Sequence, residues 1–252
     1  MQLSELVKGT PRTELLYYGD SYLSRFEANV VAAVKEQGRS WYIVLDKTLF
    51  HPKGGGQPTD TGQLLVGESM GVVKKAMMVD GRVVHYVKFA SECTPQEGTP
   101  VKGEIDWPPR QTYMRRHTAA HLLDHCLNVA SSKTNRTTTS WLGEPEAYVA
   151  YAGTLPAEEV LFKASELAHS NIEARLPVST RFLSKEEVGR LDDAPNIERL
   201  PDSDMYRVVQ IDGFESIPCG GTHVRNTLEI GKFILKRYEQ NGEEFRVYFD
   251  VA

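Results

Sequence analysis

Two pairs of potential metal ligands stand out in the sequence. His117 and His121 are four residues apart in a segment rich in alanine and leucine, and a helix brings residues with this spacing onto one face. Cys219 and His223 have the same spacing, but the two glycines between them indicate a tight turn. Three imidazoles and one thiolate form a nitrogen and sulfur set that suits Zn²⁺. The long separation of the two pairs argues against a small zinc finger and predicts a site that the tertiary fold closes.

Other interpretations of these histidines have to be weighed. A His-x-x-x-His pair alone is common on helices that bind no metal. A zinc peptidase would carry a glutamate directly after the first histidine as general base. Thr118 occupies that position here, and no glutamate lies between His117 and His121. His125 continues the same helical row and is interpreted as a partly exposed helix residue rather than a ligand.

The composition indicates a folded, weakly acidic protein. The 252 residues are 40% hydrophobic and 25% charged, enough for one large or two ordinary domains. No apolar run approaches the roughly 20 residues of a membrane span, and the first residues do not resemble a signal peptide. Three cysteines do not indicate a disulfide framework, which fits a reducing cytoplasm. The net charge of −5 predicts that any RNA contact is local.

The first half is predicted to be a small β-barrel. Its strands are expected at residues 24–36, 41–45, 63–66, 71–79, 83–89 and 101–107. Pro108 and Pro109 stop the last strand and are the predicted linker, which divides the chain into domains 1–109 and 110–252. Within residues 48–62, three consecutive glycines bracketed by prolines exclude regular structure. The three glycines and Gln57, residues 54–57, are called the glycine motif below. The stretch that contains them is either a flexible loop or a backbone that approaches a ligand closely.

The second half is predicted to mix helices and strands. Helices are expected at about 110–130 and 156–175, with a short third helix that begins with a capping-box pattern at Ser184. Strands are expected at 148–151, 177–182, 206–211, 229–239 and 244–251. The predicted fold class is therefore α+β, with a barrel-like domain followed by an α+β domain that carries the zinc site.

These motifs together resemble the editing domain of alanyl-tRNA synthetase. The resemblance rests on residues 117–123, 219–224 and the glycine-rich residues 50–62, and it extends from about residue 41 to residue 249. The chain has no room for an aminoacylation domain. It is therefore similar to the free-standing trans-editing proteins of the AlaX type, in their medium-length form.

The resemblance implies a function in translation fidelity. It implies hydrolysis of mischarged tRNA(Ala), chiefly Ser-tRNA(Ala) and also Gly-tRNA(Ala), with Ala-tRNA(Ala) spared. The implied cofactor is one Zn²⁺ per chain on His117, His121, Cys219 and His223. The implied partner is the acceptor end of tRNA(Ala) carrying serine, without ATP and without a membrane. Since four protein ligands would close the metal site, either one ligand is loose or the zinc positions the substrate.

Serine must be distinguished from alanine by one hydroxyl group. A pocket whose polar groups need that hydroxyl can reject its absence by ~10⁴ or more. The resemblance places this discrimination around the glycine motif, with Thr118 structural or at the pocket edge. The predicted substrate-binding residues are Thr48, Gly54, Gly55, Gly56, Gln57 and Asp60.

Contacts to the tRNA require basic side chains near the site. The predicted tRNA-binding residues are Arg115, Arg116, Lys133 and Arg136, and the further basic candidates are Lys232, Lys236 and Arg237. Two alternative functions remain open at this point. One is a zinc-stabilised tRNA-binding module without turnover, and the other is an editing module of the threonyl-tRNA synthetase type.

Overall fold

The computed structural model describes residues 3–191 and 203–252 and has the predicted α+β class. It divides into two compact units. The first unit comprises the chain up to Gly54 together with Pro58–Arg110, and the second comprises Gly55–Gln57 together with Gln111 to the end of the chain. Three residues of the glycine motif thus group with the second unit, although they lie in the first half of the sequence.

The first unit contains a closed six-stranded barrel, as the sequence predicts. Helix α1 is Leu3–Val7, and the strands are β1 Glu14–Leu15, β2 Arg25–Gln37, β3 Ser40–Leu45, β4 Lys47–Thr48, β5 Gly62–Val66, β6 Ser69–Val79, β7 Arg82–Phe89 and β8 Pro100–Ile105. The barrel strands run in the order β2-β3-β7-β6-β5-β8, and each neighbouring pair in the barrel is antiparallel. Outside the barrel, β1 and β4 form a parallel pair.

Alternation of buried and exposed residues gives the barrel an apolar interior. In β8 every second residue is buried, and the inward residues include Val101 and Ile105. The core also takes Phe26, Phe50 and Phe89, all less than a tenth exposed. Because a closed barrel pairs every strand on both sides, it leaves no open sheet edge.

The second unit packs helices with two small sheets. Its helices are α2 Trp107–Ser131, α3 Glu158–Glu173 and α4 Lys185–Val188, of which α2 begins in the first unit. Its strands are β9 Thr137–Trp141, β10 Ala147–Ala152, β11 Val178–Ser184, β12 Met205–Ile211, β13 Ile217–Pro218, β14 Phe233–Asn241 and β15 Glu244–Val251. One sheet has the strand order β14-β15-β10-β9 and the other has the order β11-β12-β13. Within the described ranges, no helix is both long and apolar enough to cross a membrane.

Two element boundaries differ from the prediction by more than two residues. Helix α2 begins at Trp107, so Pro108 and Pro109 lie in its first turn rather than in a linker. Proline is tolerated there because the first N–H groups of a helix have no partner within it. The penultimate strand begins at Phe233 rather than residue 229, because Thr227–Ile230 forms a 3₁₀ turn that the Asn226 side chain caps at the Leu228 N–H, 2.9 Å away.

Candidate metal centre

The four predicted ligands come together in the second unit. The ligand atoms of His117, His121, Cys219 and His223 all lie within 4.8 Å of one another. The Cys219 Sγ lies 3.4 Å from Nε2 of His117 and 3.4 Å from Nε2 of His223. In a tetrahedral site with Zn–N of about 2.0–2.1 Å and Zn–S of about 2.3 Å, ligand atoms are about 3.3–3.6 Å apart. The cluster could therefore hold a metal ion of this size.

Two elements bring these side chains together. Helix α2 places His117 and His121 one turn apart, with ring centroids separated by 5.2 Å. The loop that follows β13 carries Cys219 and His223, and the His223 ring lies 4.4 Å from that of His117. A side chain at Gly221 would place its Cβ 2.0 Å from Cε1 of His117. Glycine is required at this position because the loop passes directly against the ring.

Gln57 determines which nitrogen of His117 faces the cluster. Its Oε1 accepts the backbone N–H of Thr222 at 3.0 Å, which identifies this atom as the carbonyl oxygen because a backbone amide can only donate. The same oxygen lies 3.0 Å from Nδ1 of His117. Nδ1 must therefore carry the proton, and Nε2 presents its lone pair toward Cys219.

Thr118 has the same effect on His223. Its hydroxyl donates to the Met114 carbonyl at 3.0 Å and accepts the Val224 N–H at 3.2 Å. Because its one proton is already used, the hydroxyl accepts from Nδ1 of His223 at 3.1 Å. Nε2 of His223 is then left with a lone pair for a metal. The prediction that Thr118 is structural or at the pocket edge did not include this contact.

Arg207 supports the ligand loop from β12. Its Nη1 donates to the carbonyls of Cys219 at 2.8 Å and Gly221 at 2.9 Å. No sequence pattern indicated this role, since the arginine lies on a different element and reaches the loop only through the fold.

The charge states of the cluster follow from burial. Burial lowers the pKa of His121 to about 4, and the nearby Arg207 acts in the same direction, so this imidazole is neutral at pH 7. Burial raises the pKa of the Cys219 thiol, although the Gly221 N–H and the charge of Arg207 partly oppose it. A metal ion that binds here has to displace the thiol proton.

His125 does not belong to the cluster. Its ring stacks on Phe214 with centroids 3.7 Å apart, and its Nδ1 lies 3.0 Å from a carboxylate oxygen of Glu215. Within the part of the chain that the structure describes, the cluster consists of the ligand atoms of His117, His121, Cys219 and His223. This agrees with its interpretation as a partly exposed helix histidine.

The glycine motif makes a close approach within the second unit. Gly56 has a φ of +78°, and a Cβ there would lie 2.1 Å from Oγ and 2.8 Å from the carbonyl oxygen of Ser140. The Gly56 carbonyl accepts the N–H of Leu142 at 3.0 Å. Gly55 also has a positive φ, of +56°. The backbone at residues 55–57 therefore lies directly against β9 and needs glycine to do so.

Thr48, predicted to contact the substrate, is fully buried in the first unit. Burial lowers the pKa of His85 to about 4, and its Nδ1 lies 3.1 Å from the Ile43 carbonyl, so Nδ1 carries the proton. Thr48 therefore donates to Nε2 of His85 at 2.9 Å, while accepting the N–H of Phe50 at 3.1 Å. Its hydroxyl is engaged by the barrel, and its contact with serine stays a prediction.

Asp60 and Gly54 also lie in the first unit. The Asp60 carboxylate accepts the His51 N–H at 2.6 Å and pairs with the guanidinium of Arg110, which is fully buried. Arg110 donates in addition to the Leu49 carbonyl at 2.6 Å. The prediction did not single out Arg110, because its partners are remote in sequence. The predicted contacts of Asp60 and Gly54 with the substrate stay predictions.

The basic residues predicted to contact tRNA fall into two groups. Arg115 donates to the Ile230 carbonyl at 3.0 and 2.8 Å, and Arg116 is only 4% exposed and pairs with Asp250 and Glu144. This burial weighs against a phosphate contact of Arg116. Lys133 and Arg136 are exposed. Phosphate binding by these two stays a prediction that their exposure permits.

Two protein-family models match the chain. Residues 1–109 match the family described as tRNA synthetases class II (A). Residues 206–248, which include the loop with Cys219 and His223, match the family described as threonyl and alanyl tRNA synthetase second additional domain.

Individual relatives match nearly the whole chain. A protein of Saccharolobus solfataricus named alanyl-tRNA editing protein AlaX-M is 34% identical over an alignment of length 252, which covers 95% of this chain and 99% of the relative. The protein of the same name from Methanosarcina barkeri is 31% identical over 248 residues, with 95% and 99% covered. An alanine–tRNA ligase of Metallosphaera sedula is 34% identical over 244 residues, but these are only 25% of the ligase. The chain thus spans about a quarter of such ligases, and it belongs to the family of alanyl-tRNA editing proteins of the AlaX-M type.

Proposed function

We propose that this protein is a trans-editing hydrolase that deacylates mischarged tRNA(Ala). The proposed substrates are chiefly Ser-tRNA(Ala) and also Gly-tRNA(Ala), with Ala-tRNA(Ala) spared and no requirement for ATP. The observation that carries the proposal is the cluster of four ligand atoms within 4.8 Å, in a chain whose full-length relatives are named alanyl-tRNA editing proteins. Its proposed location is the cytoplasm, where tRNA is charged.

The proposed cofactor is one Zn²⁺ per chain, held by His117, His121, Cys219 and His223. The nitrogen and sulfur donor set and the 3.4 Å separations from Cys219 Sγ support this choice of metal. When bound, zinc would supply Lewis-acid polarisation of the ester if one ligand loosens, and would otherwise position the substrate. The chain contributes two imidazoles whose tautomers Gln57 and Thr118 fix, and a ligand loop that Arg207 supports at two carbonyls.

Selectivity for serine is proposed to come from the glycine motif, residues 54–57. Gly54 and Gly55 are exposed and carry no side chain, so a ligand can approach their backbone groups closely. A serine hydroxyl that satisfies one of these groups favours the reaction, whereas alanine leaves it unsatisfied. Thr48 and Asp60, whose polar atoms are engaged in the first unit, are proposed to hold the segments that flank the motif. The proposed two-domain division at residues 109 and 110 assigns the glycine motif to the first domain and the metal ligands to the second.

The acceptor end of the tRNA is proposed to contact Lys133 and Arg136. Both side chains are exposed, and they precede β9, whose Ser140 lies against Gly56. Cations at this position can pair with phosphates without carrying sequence information. The negative charge of the whole chain makes such a local arrangement necessary.

Single-turnover deacylation tests the proposed activity. Purified protein is mixed with Ser-tRNA(Ala), Gly-tRNA(Ala), Ala-tRNA(Ala) and Ser-tRNA(Thr), and loss of the aminoacyl group is followed. We expect rapid loss of serine from tRNA(Ala) and little loss of alanine. Binding of every tRNA without turnover would instead indicate a zinc-stabilised RNA-binding module. A preference for Ser-tRNA(Thr) would indicate the threonyl type.

Elemental analysis tests the proposed metal. We expect about one zinc per chain, as for other closed sites with four nitrogen and sulfur ligands. His121→Ala should lower both the zinc content and the deacylation rate, since it removes a ligand. His125→Ala is the matched control, a histidine one turn further along α2 that is outside the cluster, and it should retain both. Full activity of metal-free protein would refute zinc dependence.

A further inference from the structure

Gln57 contacts two ligand-bearing elements at once. It is fully buried, and its Oε1 lies 3.0 Å from Nδ1 of His117 on α2. The same oxygen accepts the N–H of Thr222 at 3.0 Å, and Nε2 donates to the Thr222 hydroxyl at 2.9 Å. Thr222 directly precedes the ligand His223. The side chain therefore bridges the helix and the loop that together form the cluster.

We propose that Gln57 is a positioning residue for the metal centre rather than a reader of the substrate hydroxyl. In this role it fixes the tautomer of His117 and anchors the loop that carries Cys219 and His223. The inference rests on the proposed metal site and assigns a purpose to the last residue of the glycine motif.

The tautomer matters because a neutral imidazole carries only one N–H. Without an acceptor at Nδ1, the proton can move to Nε2, the atom that lies 3.4 Å from Cys219 Sγ. A protonated Nε2 has no lone pair for a metal. Gln57 removes this alternative, since its carbonyl oxygen can only accept. Hydrogen bonds of this kind to the second ring nitrogen orient metal-binding histidines and tune their affinity.

The hydrogen-bonding capacity of Gln57 is largely consumed by these contacts. Both lone pairs of Oε1 are used, by His117 and by the Thr222 N–H, and one of the two Nε2 hydrogens is used by the Thr222 hydroxyl. The amide thus has no lone pair left to accept the proton of a serine hydroxyl. A serine hydroxyl could donate to Oε1 only if the hydrogen bond from His117 or from the Thr222 N–H were broken.

The glycines before Gln57 explain how it is held in place. Gly55 and Gly56 adopt positive φ values of +56° and +78°. Gly56 lies so close to Ser140 that any side chain would clash, and its carbonyl is bonded to the Leu142 N–H at 3.0 Å. The motif is therefore fixed on β9 and delivers Gln57 to the cluster from a defined position.

Metal affinity is the measurement that tests the inference. Co²⁺ and Zn²⁺ dissociation constants are determined on the full chain by competition with a chromophoric chelator. Gln57→Leu should weaken binding about 10–100-fold, as is typical when such an outer partner of a metal ligand is removed. Gln57→Glu keeps a side-chain oxygen that can accept from His117 and from the Thr222 N–H, so it should retain an affinity close to wild type. Gln63→Leu, the same change at an exposed position of β5, should have no effect.

Selectivity provides the second measurement. If Gln57 positions the metal, Gln57→Leu should slow deacylation of Ser-tRNA(Ala) and Ala-tRNA(Ala) together and leave their ratio unchanged. A changed ratio with intact metal affinity would overturn the inference in favour of substrate reading. Equal affinities of wild type and Gln57→Leu would also overturn it, as would a failure of Gln57→Glu to restore binding.

The tautomer itself can be observed in the unaltered protein. Imidazole ¹⁵N resonances of the metal-loaded wild type should show the His117 proton on Nδ1, and a proton-free Nδ1 would overturn the inference even if the leucine variant did not fold. If the wild type bound no metal, the proposed function would fail instead, so the two failures are distinguishable.

Discussion

At the scale of single residues, the hydrogen-bond partners decide what a side chain can do. The two tautomer-fixing contacts, Gln57 to His117 and Thr118 to His223, leave Nε2 of both rings directed at Cys219. Neither contact involves a charged partner. Each ring in its neutral form, which is the form that binds a metal, then carries its lone pair on Nε2.

Thr48 provides a test at the same scale. Thr48→Val keeps the shape but removes the partner of the Phe50 N–H and of Nε2 of His85, both of which are buried. We expect the free energy of unfolding to fall by about 1–3 kcal/mol, as for a buried polar group that loses its partner. Urea unfolding measures this change, and Thr48→Ser, which keeps the hydroxyl, is the control.

The same variant also tests the predicted serine contact. Because the Thr48 hydroxyl is engaged by His85 and Phe50, we expect an unchanged ratio of Ser-tRNA(Ala) to Ala-tRNA(Ala) hydrolysis. A fall of roughly tenfold in that ratio would correspond to about 1.4 kcal/mol of lost discrimination. That result would place Thr48 in the substrate pocket, as the sequence predicts.

At the scale of secondary-structure elements, helix α2 has two functions along its length. Its first turn carries Arg110, which belongs to the first unit, and its middle carries His117 and His121 of the metal cluster. Arg110 and Asp60 form an ion pair whose side chains are 0% and 1% exposed. The pair ties the segment after the glycine motif to the start of the helix.

Removing one partner of this pair should be costly. Arg110→Met leaves the Asp60 carboxylate buried without its counter-charge, and Asp60→Leu leaves Arg110 in the same state. Each single change should lower the free energy of unfolding by about 3–5 kcal/mol, whereas the double change should cost clearly less than the sum. Urea unfolding of the four proteins gives this cycle. Additive effects would show that the two side chains are not coupled.

At the scale of the whole molecule, Asp124 links stability to pH. Its carboxylate accepts from the hydroxyls of Tyr151 at 2.7 Å and Thr137 at 3.2 Å, so it joins α2 to β10 and β9. Burial raises the pKa of Asp124 to about 6, although both hydrogen bonds act in the opposite direction. The folded protein therefore favours the protonated carboxyl group.

The sign of the pH dependence follows from this shift. Asp124 contributes stability that is fully present below the pKa of the unfolded carboxyl, about 4, and that is lost as the pH rises through about 6. The loss should be on the order of 2 kcal/mol. Asp124→Asn is neutral at every pH and should remove this part of the dependence.

Urea unfolding of metal-free protein at pH 5 and pH 7.5 measures the effect. The difference between the two pH values should shrink in Asp124→Asn. Asp212→Asn, a change at an exposed aspartate, should keep the difference of the wild type. An equal pH dependence in wild type and Asp124→Asn would contradict a raised pKa of the buried carboxyl group.

The sequence by itself determined the local features. The spacing of four placed His117 and His121 on one face of a helix, alternation of apolar residues predicted the barrel strands, and Ser184 with Glu187 formed the expected capping box. Phe162 shows the limit of this approach. Although it is a large apolar residue, it is 52% exposed, because the buried stripe of α3 follows Leu161, Ala164, Ala168 and Ile172.

The tertiary structure alone decided how the ligands are held. Gln57 and Thr222 are 165 residues apart in sequence, and Thr118 and His223 are 105 apart. Periodicity and capping patterns report on residues within one or two turns, and the hydrogen bonds across these separations depend on how remote elements pack. The sequence therefore indicated which residues could bind a metal, whereas the fold selected the nitrogen that each histidine presents to it.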